Sequence, residues 1–387
     1  MIFLNLFKQA DKMRRQIDSH PEAYIIAEAG VNHNGDINLA KELIAVAADA
    51  GANAVKFQTF KADHLAAKDL SKAAYQSRND GDAGTQYDML KRLELSDHEH
   101  HVLLETCHKQ GIDFLSSPFD IMSARFLMKD LRLDTVKIGS GELTNAPLLF
   151  YIAQQGTQII LSTGMADLSD IEAALSVLAY GYLSPQATLP TLQQFKEAFY
   201  APEGYKKLKE KVVLLHCTSE YPCPPQEVNL RSMLTLADAF KLPVGFSDHT
   251  AGTHIPLCAI SLGAAVIEKH FTLDKMLPGP DHTASLDPKE LSQMILHIRE
   301  AEASLGNGRK VPTPAERLTA KVVRKALVTS RALKAGDELT ADTIKIIRTN
   351  EHLSSPLEYW TFLDKKLNCN LPEGIALHPS HLEKINE

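Results

Sequence analysis

Eight short apolar runs alternate with helical patterns between residues 24 and 267, and this alternation constrains the fold more than any other feature. Patterns such as Asn38 to Ala50, closed by Gly51, and Asp97 to Gln110, closed by Gly111, are typical of helices. Eight strands alternating with helices over roughly 250 residues predict a (β/α)₈ TIM barrel. An open doubly wound sheet, which has fewer strands, is the second interpretation. The runs are Tyr24 to Ile26, Ala54 to Phe57, Asp113 to Leu115, Thr135 to Ile138, Gln158 to Leu161, Val212 to Leu215, Val244 to Phe246 and Ala265 to Ile267.

Two insertions and a change of character after Leu305 indicate the domain organisation. A long segment, Lys61 to Glu94, follows the second run, and another, Leu183 to Lys211, precedes the sixth. A Gly/Pro-bearing connector, GNGRKVPTPAERL, leads to short β-type runs at Ala326 to Val328 and Ile344 to Ile347 among turn signals. We predict an N-terminal extension over residues 1–20, a barrel over 21–305, a linker over 306–322 and a small second domain over 323–387.

Composition excludes several classes of function. The 387-residue chain has a net charge of −7 and one Trp, so nucleic acid is not an expected partner. No run of about 18 apolar residues occurs, and the N-terminal MIFLNLF lacks the charge order of a signal peptide. The cysteines are odd in number and lack C-x-x-C spacing, which predicts reduced thiols. We therefore expect a soluble cytoplasmic protein without a membrane anchor. The cysteines are Cys107, Cys217, Cys223, Cys258 and Cys369.

Polar side chains able to do chemistry follow nearly every apolar run. At one end of a barrel such groups converge on a single site. The sequence therefore predicts one polar centre built from many strands. These groups are Glu28, Lys56, Gln58, Ser116, Ser117, Lys137, Ser140, Glu142, Ser162, Thr163, the segment His216 to Tyr221, Ser247, Asp248, His249, Glu268, Lys269 and His270.

Two histidines, His249 and His270, end two successive apolar runs. The segment Ala251 to Gly263 between those runs predicts a crossover helix, so the two imidazoles come from adjacent parallel strands. Two neutral imidazoles suit manganese, zinc or iron as a partial ligand set, with oxygen ligands from substrate and water. The alternative is that each histidine is a core or capping residue.

Two lysines, Lys56 and Lys137, lie inside apolar β-runs, where a charge needs a partner. One interpretation pairs them with Glu28 or Glu142. The other gives them a phosphate or carboxylate, which hydroxyl and backbone donors of the Gly/Ser turns at 139–141 and 162–164 would also bind. With the histidine pair, this second interpretation predicts a phosphorylated and carboxylated small substrate beside a metal that polarises a carbonyl.

Nine blocks of the chain together closely resemble the sialic acid synthases. From Ala23 onward they occur in order and cover nearly the whole chain, and the part from about Arg324 resembles the antifreeze-like domain of that family, a β-clip (SAF-type) fold. The blocks are AEAGVNHNGD (27–36), AVKFQTF (54–60), FLSSPFD (114–120), KIGSGEL (137–143), ILSTGMA (160–166), LLHCTSEYPCP (214–224), GFSDHT (245–250), IEKHFTLD (267–274) and PGPDHTASLDP (278–288).

The resemblance implies a C–C bond-forming transferase. Members join phosphoenolpyruvate to an N-acylated mannosamine-type aldehyde and release phosphate. With N-acetylmannosamine as acceptor the product is N-acetylneuraminate, which is our main prediction. The implied mechanism is attack of C3 of phosphoenolpyruvate on the metal-polarised aldehyde, addition of water at C2 and departure of phosphate, so positioning and charge stabilisation carry most of the catalysis.

The resemblance also implies roles for individual residues. His249 and His270 become ligands of a divalent metal, usually manganese, with magnesium or cobalt as alternatives, and Glu28 lies close to the water on that metal. Ser219, which replaces an asparagine of some members, belongs to the substrate site. The other implied substrate contacts are Lys56, Lys137, Ser140, Ser162 and Ser247 around phosphoenolpyruvate, and Gln58, Glu142, Tyr221 and Asp281 around the acceptor sugar.

A homodimer is implied by the same resemblance, because an arginine of the antifreeze-like domain reaches the partner subunit's barrel in this family. Arg348 stands at that position. The arginine is normally followed by Pro-Gly-Asn-Gly, whereas this chain has Thr-Asn-Glu-His at 349–352.

Two other functions remain open from the sequence. A synthase using 2,4-diacetamido-2,4,6-trideoxymannose would give N,N'-diacetyllegionaminate, and one sequence does not separate the two acceptors. A non-catalytic carbohydrate-binding or ice-binding protein is the more distant alternative. The set Lys56, Lys137, His249 and His270 argues against it, because a relic barrel would be free to lose such costly buried groups.

Overall fold

Eight parallel strands form the centre of the fold in the computed structural model of the chain, which describes residues 22–73, 76–77, 84–351 and 353–383. Hydrogen-bonded neighbours follow the order β3-β2-β1-β8-β7-β6-β5-β4, and β3 packs beside β4. The sheet is a nearly closed barrel, which confirms the predicted (β/α)₈ class, and the doubly wound alternative is wrong. The strands are β1 (Tyr24–Gly30), β2 (Ala54–Thr59), β3 (Asp113–Pro118), β4 (Thr135–Ile138), β5 (Gln158–Ser162), β6 (Val212–Cys217), β7 (Val244–Asp248) and β8 (Val266–His270).

Helices connect the strands and continue beyond the last one. Their bounds are Ile37–Asp49, Ala62–Leu65, Gln86–Leu93, Asp97–Gln110, Ile121–Arg125, Ala146–Gln154, Leu168–Leu183, Leu192–Tyr200, Pro202–Lys211, Ser232–Phe240, His254–Ser261, Pro288–Leu305, Pro314–Val323 and Tyr359–Phe362. A π-helical turn, Phe126–Asp130, continues the fifth of these, and short 3₁₀ turns lie at Ser140–Glu142, Pro225–Glu227, His282–Ala284, Pro356–Glu358 and Pro379–His381.

Local signals in the sequence set several helix ends. Ser96 and Glu99 form a capping box at the start of the helix Asp97–Gln110, and Gly111, in the left-handed conformation at φ 71°, ends it. Its bounds are those the sequence predicts. The helix before β8 is shorter than predicted, His254–Ser261 instead of Ala251 to Gly263, because Ala251 to Thr253 form a turn after β7.

Side chains along each strand alternate between the barrel interior and the layer beneath the helices. On β1 and β8, Tyr24, Ile26 and Val266 belong to the small interior cluster, whereas Ile25 and Ile267 pack under the helices. Continuing the alternation toward the carboxyl ends brings Glu28, Lys56 and Glu268 to interior positions. The barrel therefore has an apolar interior layer below a polar rim. β1 and β8 include Glu28 and Glu268, whereas the predicted runs stop at Ile26 and Ile267; Lys56 lies within the predicted run and within β2.

Both insertions are partly helical. The segment Lys61 to Glu94 contains the helices Ala62–Leu65 and Gln86–Leu93, and Leu183 to Lys211 contains Leu192–Tyr200 and Pro202–Lys211. In the second insertion, Phe195 packs edge-on against Tyr180 and Phe150 on the outside of the barrel.

The chain divides into two compact units, Met1–Gly308 and Arg309–Glu387. In the second unit, β9 (Lys325–Thr329) and β10 (Ile344–Arg348) pair antiparallel. Its own core includes Leu327, Leu339 and Phe362. The helix Pro314–Val323 occupies part of the predicted linker over 306–322. The predicted N-terminal extension, 1–20, lies outside the described residues.

All five cysteines lie in the described part of the chain and are free. Within that same part, every helix falls short of the length and apolar character needed to cross a lipid bilayer.

Candidate functional site

A cavity of about 500 Å³ opens at the carboxyl ends of the barrel strands. All but two of the residues to which the resemblance gives a role line it. The exceptions are Ser247, which is buried directly behind the lining, and Arg348, which is exposed at the end of β10 in the second unit. The predicted residues in the lining are Glu28, Lys56, Gln58, Lys137, Ser140, Glu142, Ser162, Ser219, Tyr221, His249, His270 and Asp281.

Alternating charges form the floor of this cavity. The strand register sets Glu28 beside Lys56 on one side and beside His270 on the other. Lys56 forms a buried ion pair with Glu28, and its Nζ lies 3.6 Å from Glu268 Oε2. Lys137 Nζ lies 3.1 Å from Glu268 Oε1. The lysines thus have protein partners, but the partner of Lys137 is Glu268 and not Glu142.

Glu268 joins the two lysines. Our sequence analysis counted it among the polar groups at the strand ends but gave it no individual role in the site. Its Oε1 also accepts a hydrogen bond of 2.8 Å from the Ser247 hydroxyl. Burial alone would raise the pKa of Glu268, but Lys137, Lys56 and Ser247 together hold that pKa well below its usual range. Glu268 is therefore negatively charged near neutral pH and lies between two lysine side chains.

Glu28 has the opposite electrostatic character. Burial raises the pKa of Glu28 to about 7, against the attraction of Lys56 and with a further contribution from the charge of Glu268. A carboxyl group with this pKa exchanges a proton readily near neutral pH. Gly30, at φ 55°, permits the close packing here, because a Cβ at this position would lie 3.0 Å from Glu28 Oε1 and 3.5 Å from His270 Cε1.

The two predicted metal ligands lie side by side on the wall of the cavity. The rings of His249 and His270 have centroids 5.7 Å apart. His249 Nδ1–H donates to the Thr218 carbonyl at 2.6 Å, which leaves the lone pair on Nε2. His270 Nδ1 is buried without a hydrogen-bond partner among the described residues.

Both imidazoles are held neutral. Burial lowers the pKa of His249 to about 4, with a smaller contribution from Lys137, and lowers that of His270 well below its usual value, with help from His249 and Lys56. Neutral nitrogens with free lone pairs fit a divalent transition metal. No cluster of three or more His, Cys, Asp or Glu within the described residues could hold a metal ion. The pair therefore suits an ion whose other ligands come from outside the protein.

Hydroxyl and amide groups from three strand ends form a small polar cradle beside Lys137. The Gly164 N–H donates to Ser140 Oγ at 3.0 Å, and Cys217 Sγ lies 3.1 Å from the same oxygen. The Ser162 hydroxyl is buried and has no hydrogen-bond partner in the described part of the chain. A buried hydroxyl without a partner is costly, so this cradle is suited to an oxyanion.

The acidic residues Glu142 and Asp281 complete the rim. Glu142 accepts a 2.7 Å hydrogen bond from Asn145 Nδ2, and its burial raises its pKa. Burial also raises the pKa of Asp281 to about 6, partly offset by Lys56. The backbone carbonyl of Asp281 accepts from the Ser285 hydroxyl, which fixes the loop. Tyr221 stacks near His249, with ring centroids 4.2 Å apart.

Three polar neighbours of the histidines lie outside the cavity. Asp248 and Lys269 form a fully buried ion pair of 2.6 Å on the outward-facing side of their strands. His282 is held between the Thr272 hydroxyl and Asn34. These residues support the fold behind the site, and the strand alternation already places Asp248 and Lys269 out of phase with Ser247 and Glu268.

Comparison with known proteins gives a consistent result. Residues 43–310 match the model of the NeuB family. An N,N'-diacetyllegionaminic acid synthase of Legionella pneumophila is 44% identical over 360 residues, which are 93% of this chain and 94% of that protein. A protein of the same name from Campylobacter jejuni is 45% identical over 349 residues, which are 90% of this chain and 97% of that protein.

A solved structure agrees with the fold. The crystal structure of an N-acetylneuraminic acid (sialic acid) synthetase from Leptospira borgpetersenii, in complex with citrate, superposes with a TM-score of 0.62 at 33% identity. The match covers 78% of this chain and 91% of that one.

Proposed function

The chain belongs to the NeuB family, and on that premise we propose that it condenses phosphoenolpyruvate with 2,4-diacetamido-2,4,6-trideoxymannose and water to give N,N'-diacetyllegionaminate and phosphate. As a member of this family it is an enzyme that forms a C–C bond. The observation that carries the choice of acceptor is the 44% and 45% identity, over nine-tenths or more of the chain, to two N,N'-diacetyllegionaminic acid synthases. The sialic acid synthetase structure is less similar, at 33%. The alternative in our sequence analysis is therefore better supported than the main prediction, N-acetylneuraminate.

Phosphoenolpyruvate would occupy the charged floor and the cradle. It carries a carboxylate and a phosphate, and Lys56 and Lys137 supply two ammonium groups within one buried network. The unpartnered Ser162 hydroxyl and Ser140 would donate to its oxygens. Ser247 supports this arrangement through Glu268, which it hydrogen-bonds.

A divalent metal, with manganese as our expectation, would be held by His249 and His270, and when bound it supplies a Lewis acid beside the sugar aldehyde. Side chains of the protein itself would position the two substrates. Gln58, Glu142, Tyr221 and Asp281 would orient the acceptor so that its aldehyde carbon faces C3 of phosphoenolpyruvate.

Glu28 is the group suited to move a proton. Its pKa near 7 allows its carboxylate to take a proton from the water that adds to C2. Collapse of the resulting adduct breaks the C2–O bond and releases phosphate, and the proton held by Glu28 returns to the products. The C–C bond formed, the water consumed and the phosphate released balance the reaction.

Several further properties stay predictions from the resemblance. They are the antifreeze-like character of the second unit, the homodimer in which Arg348 enters the partner's site, and the cytoplasmic location. Sedimentation under assay conditions tests the dimer, because a fully active monomer would contradict the role of Arg348.

A methyl group added to Gly164 tests the oxyanion cradle. The Cβ of Gly164→Ala would lie 2.5 Å from Ser219 Oγ and 2.8 Å from Ser140 Oγ, so both hydroxyls must move. We expect the KM for phosphoenolpyruvate to rise on the order of 10-fold to 100-fold, because small displacements of binding groups are costly. An unchanged KM for phosphoenolpyruvate in this variant would contradict the assignment of the cradle.

Competition between acceptors tests the proposed reaction. Phosphate release is measured with phosphoenolpyruvate, manganese and either 2,4-diacetamido-2,4,6-trideoxymannose, N-acetylmannosamine or its 6-phosphate. We expect kcat/KM for the diacetamido sugar to exceed the others by about 10-fold or more. Equal or better use of N-acetylmannosamine would restore the sialate prediction.

A further inference from the structure

We infer that an apolar wall on one side of the cavity selects an acceptor with a methyl group at C6 over one with a hydroxymethyl group. The wall consists of Val31, Leu65, Met89, Leu90, Leu93 and Phe119. This inference rests on the proposed function, since it concerns how the same site chooses its sugar.

The wall comes mainly from the segment between β2 and β3. Leu65 lies on the helix Ala62–Leu65, whereas Met89, Leu90 and Leu93 lie on the helix Gln86–Leu93. Met89 and Leu93 are buried together with Phe60 in a cluster separate from the barrel core, and Leu65, Leu90 and Phe119 pack against that cluster. The cavity thus has a charged floor from the strands and an apolar wall from an insertion.

Polar contacts hold the wall in place. Thr85 and Asp88 form a capping box at the start of the helix Gln86–Leu93. Lys91 Nζ lies 3.3 Å from Asp63 Oδ2, and the Tyr87 hydroxyl donates to Asp63 Oδ1 at 2.8 Å, so the two short helices are tied together. Each of these contacts is exposed and weak alone, but together they set one arrangement.

The helix also abuts the loop after β1. Gly35 is at φ 77°, and a Cβ there would lie 2.5 Å from the Arg92 carbonyl oxygen. The backbone of the loop therefore lies directly against the backbone of the helix Gln86–Leu93, which fixes the position of the helix.

The chemistry of the acceptor decides what the wall does. The aldehyde carbon must lie beside C3 of phosphoenolpyruvate at the charged floor, so the other end of the sugar extends away from the strand ends. A C6 methyl against the apolar side chains of the wall gains burial, whereas a C6 hydroxyl against those same side chains finds no hydrogen-bond partner among them. The two amides that this insertion adds to the lining, Gln76 and Gln86, are hydrogen-bonded to each other at 3.1 Å. A cavity of about 500 Å³ is the size in which small ligands are largely enclosed.

The test uses two acceptors that differ only at C6, namely 6-deoxy-N-acetylmannosamine and N-acetylmannosamine. We expect the wild-type enzyme to favour the 6-deoxy sugar by about 10-fold to 100-fold in kcat/KM. Leu90→Gln, at a half-buried position of the wall, should lower this ratio by about 10-fold. Leu70→Gln, the same replacement at an exposed leucine of the same segment that is not part of the lining, should leave the ratio unchanged.

The outcomes separate the inference from the proposed function. If Leu90→Gln lowers kcat/KM for both sugars equally, the ratio between them stays as in the wild type. That result would show that the substitution acts only through the stability of the fold, and it would overturn the inference. Should Leu90→Gln fail to fold, Leu65→Gln on the facing helix tests the same surface. A wild-type enzyme that prefers the diacetamido sugar but does not distinguish the two C6 groups overturns the wall alone. Preference for N-acetylmannosamine over the diacetamido sugar overturns the proposed function itself.

Discussion

Replacement of His249 or His270 by alanine is expected to abolish retention of a divalent cation and to lower phosphate release by more than about 100-fold. Even residues that only support metal ligands cost 10-fold to 100-fold in affinity or activity, so loss of a direct ligand should cost at least as much. The two rings lie together on the cavity wall, with centroids 5.7 Å apart, and burial keeps both neutral. The described residues include no cluster of three or more potential metal ligands, so no further side chain would take the place of a lost imidazole.

Metal content and turnover are measured on the same preparations. His108→Ala is the matched control, because His108 is exposed on the outer helix Asp97–Gln110 and does not line the cavity. It should retain wild-type metal content. Wild-type turnover by either cavity variant after exhaustive chelation would contradict the role of the pair.

Glu268→Gln is expected to lower the free energy of unfolding by about 3 kcal/mol. The carboxylate lies 3.1 Å from Lys137 Nζ and 3.6 Å from Lys56 Nζ, and all three groups are buried. Removing one partner of a buried pair leaves an uncompensated charge, which costs about 3–5 kcal/mol. Denaturant unfolding measures the change.

Phosphoenolpyruvate should partly restore the stability of this variant. Its two acidic groups would neutralise the lysines that have lost Glu268, so a saturating concentration should raise Tm more in Glu268→Gln than in the wild type. Glu105→Gln, in an exposed pair of 2.7 Å with Lys109, is the matched control and should change stability little. Equal stability of Glu268→Gln and the wild type would contradict the charge network.

The sequence predicts the barrel well because the fold depends on a regular alternation of apolar runs with helical patterns, which can be read directly from the residues. Thr135 to Ile138 is recovered residue for residue as β4, and the helix Asp97–Gln110 matches at both ends, where Ser96 and Gly111 provide local signals. Elsewhere the strands run past the apolar runs. β8 continues through His270, for example, because backbone pairing with β1 does not require apolar side chains.

The site is predicted less completely, for a physical reason. Glu268 stands between Ile267 and Lys269, and the run of charges hides the phase of the strand. Counting in twos from Val266, an interior residue, brings Glu268 and His270 to the cavity side and turns Lys269 away. That signal is present in the sequence, and only the identity of an interior residue was needed to use it.

The apolar wall cannot be predicted by counting residues along a strand or helix. Met89 and Leu93 follow the helical period, which predicts a buried face equally well for a helix over a core and for one beside a cavity. What they face depends on the path of the chain from β2 to β3, which periodicity does not fix.

The central claim is that the histidine pair and the lysine pair hold a cation and phosphoenolpyruvate in one cavity. A crystal structure of the enzyme soaked with manganese and phosphoenolpyruvate, with anomalous scattering from the metal, tests this claim most directly. We predict one anomalous peak bound by His249 and His270, with the ligand's acidic groups on Lys56 and Lys137. A peak away from both imidazoles, or the ligand bound outside this cavity, would contradict it.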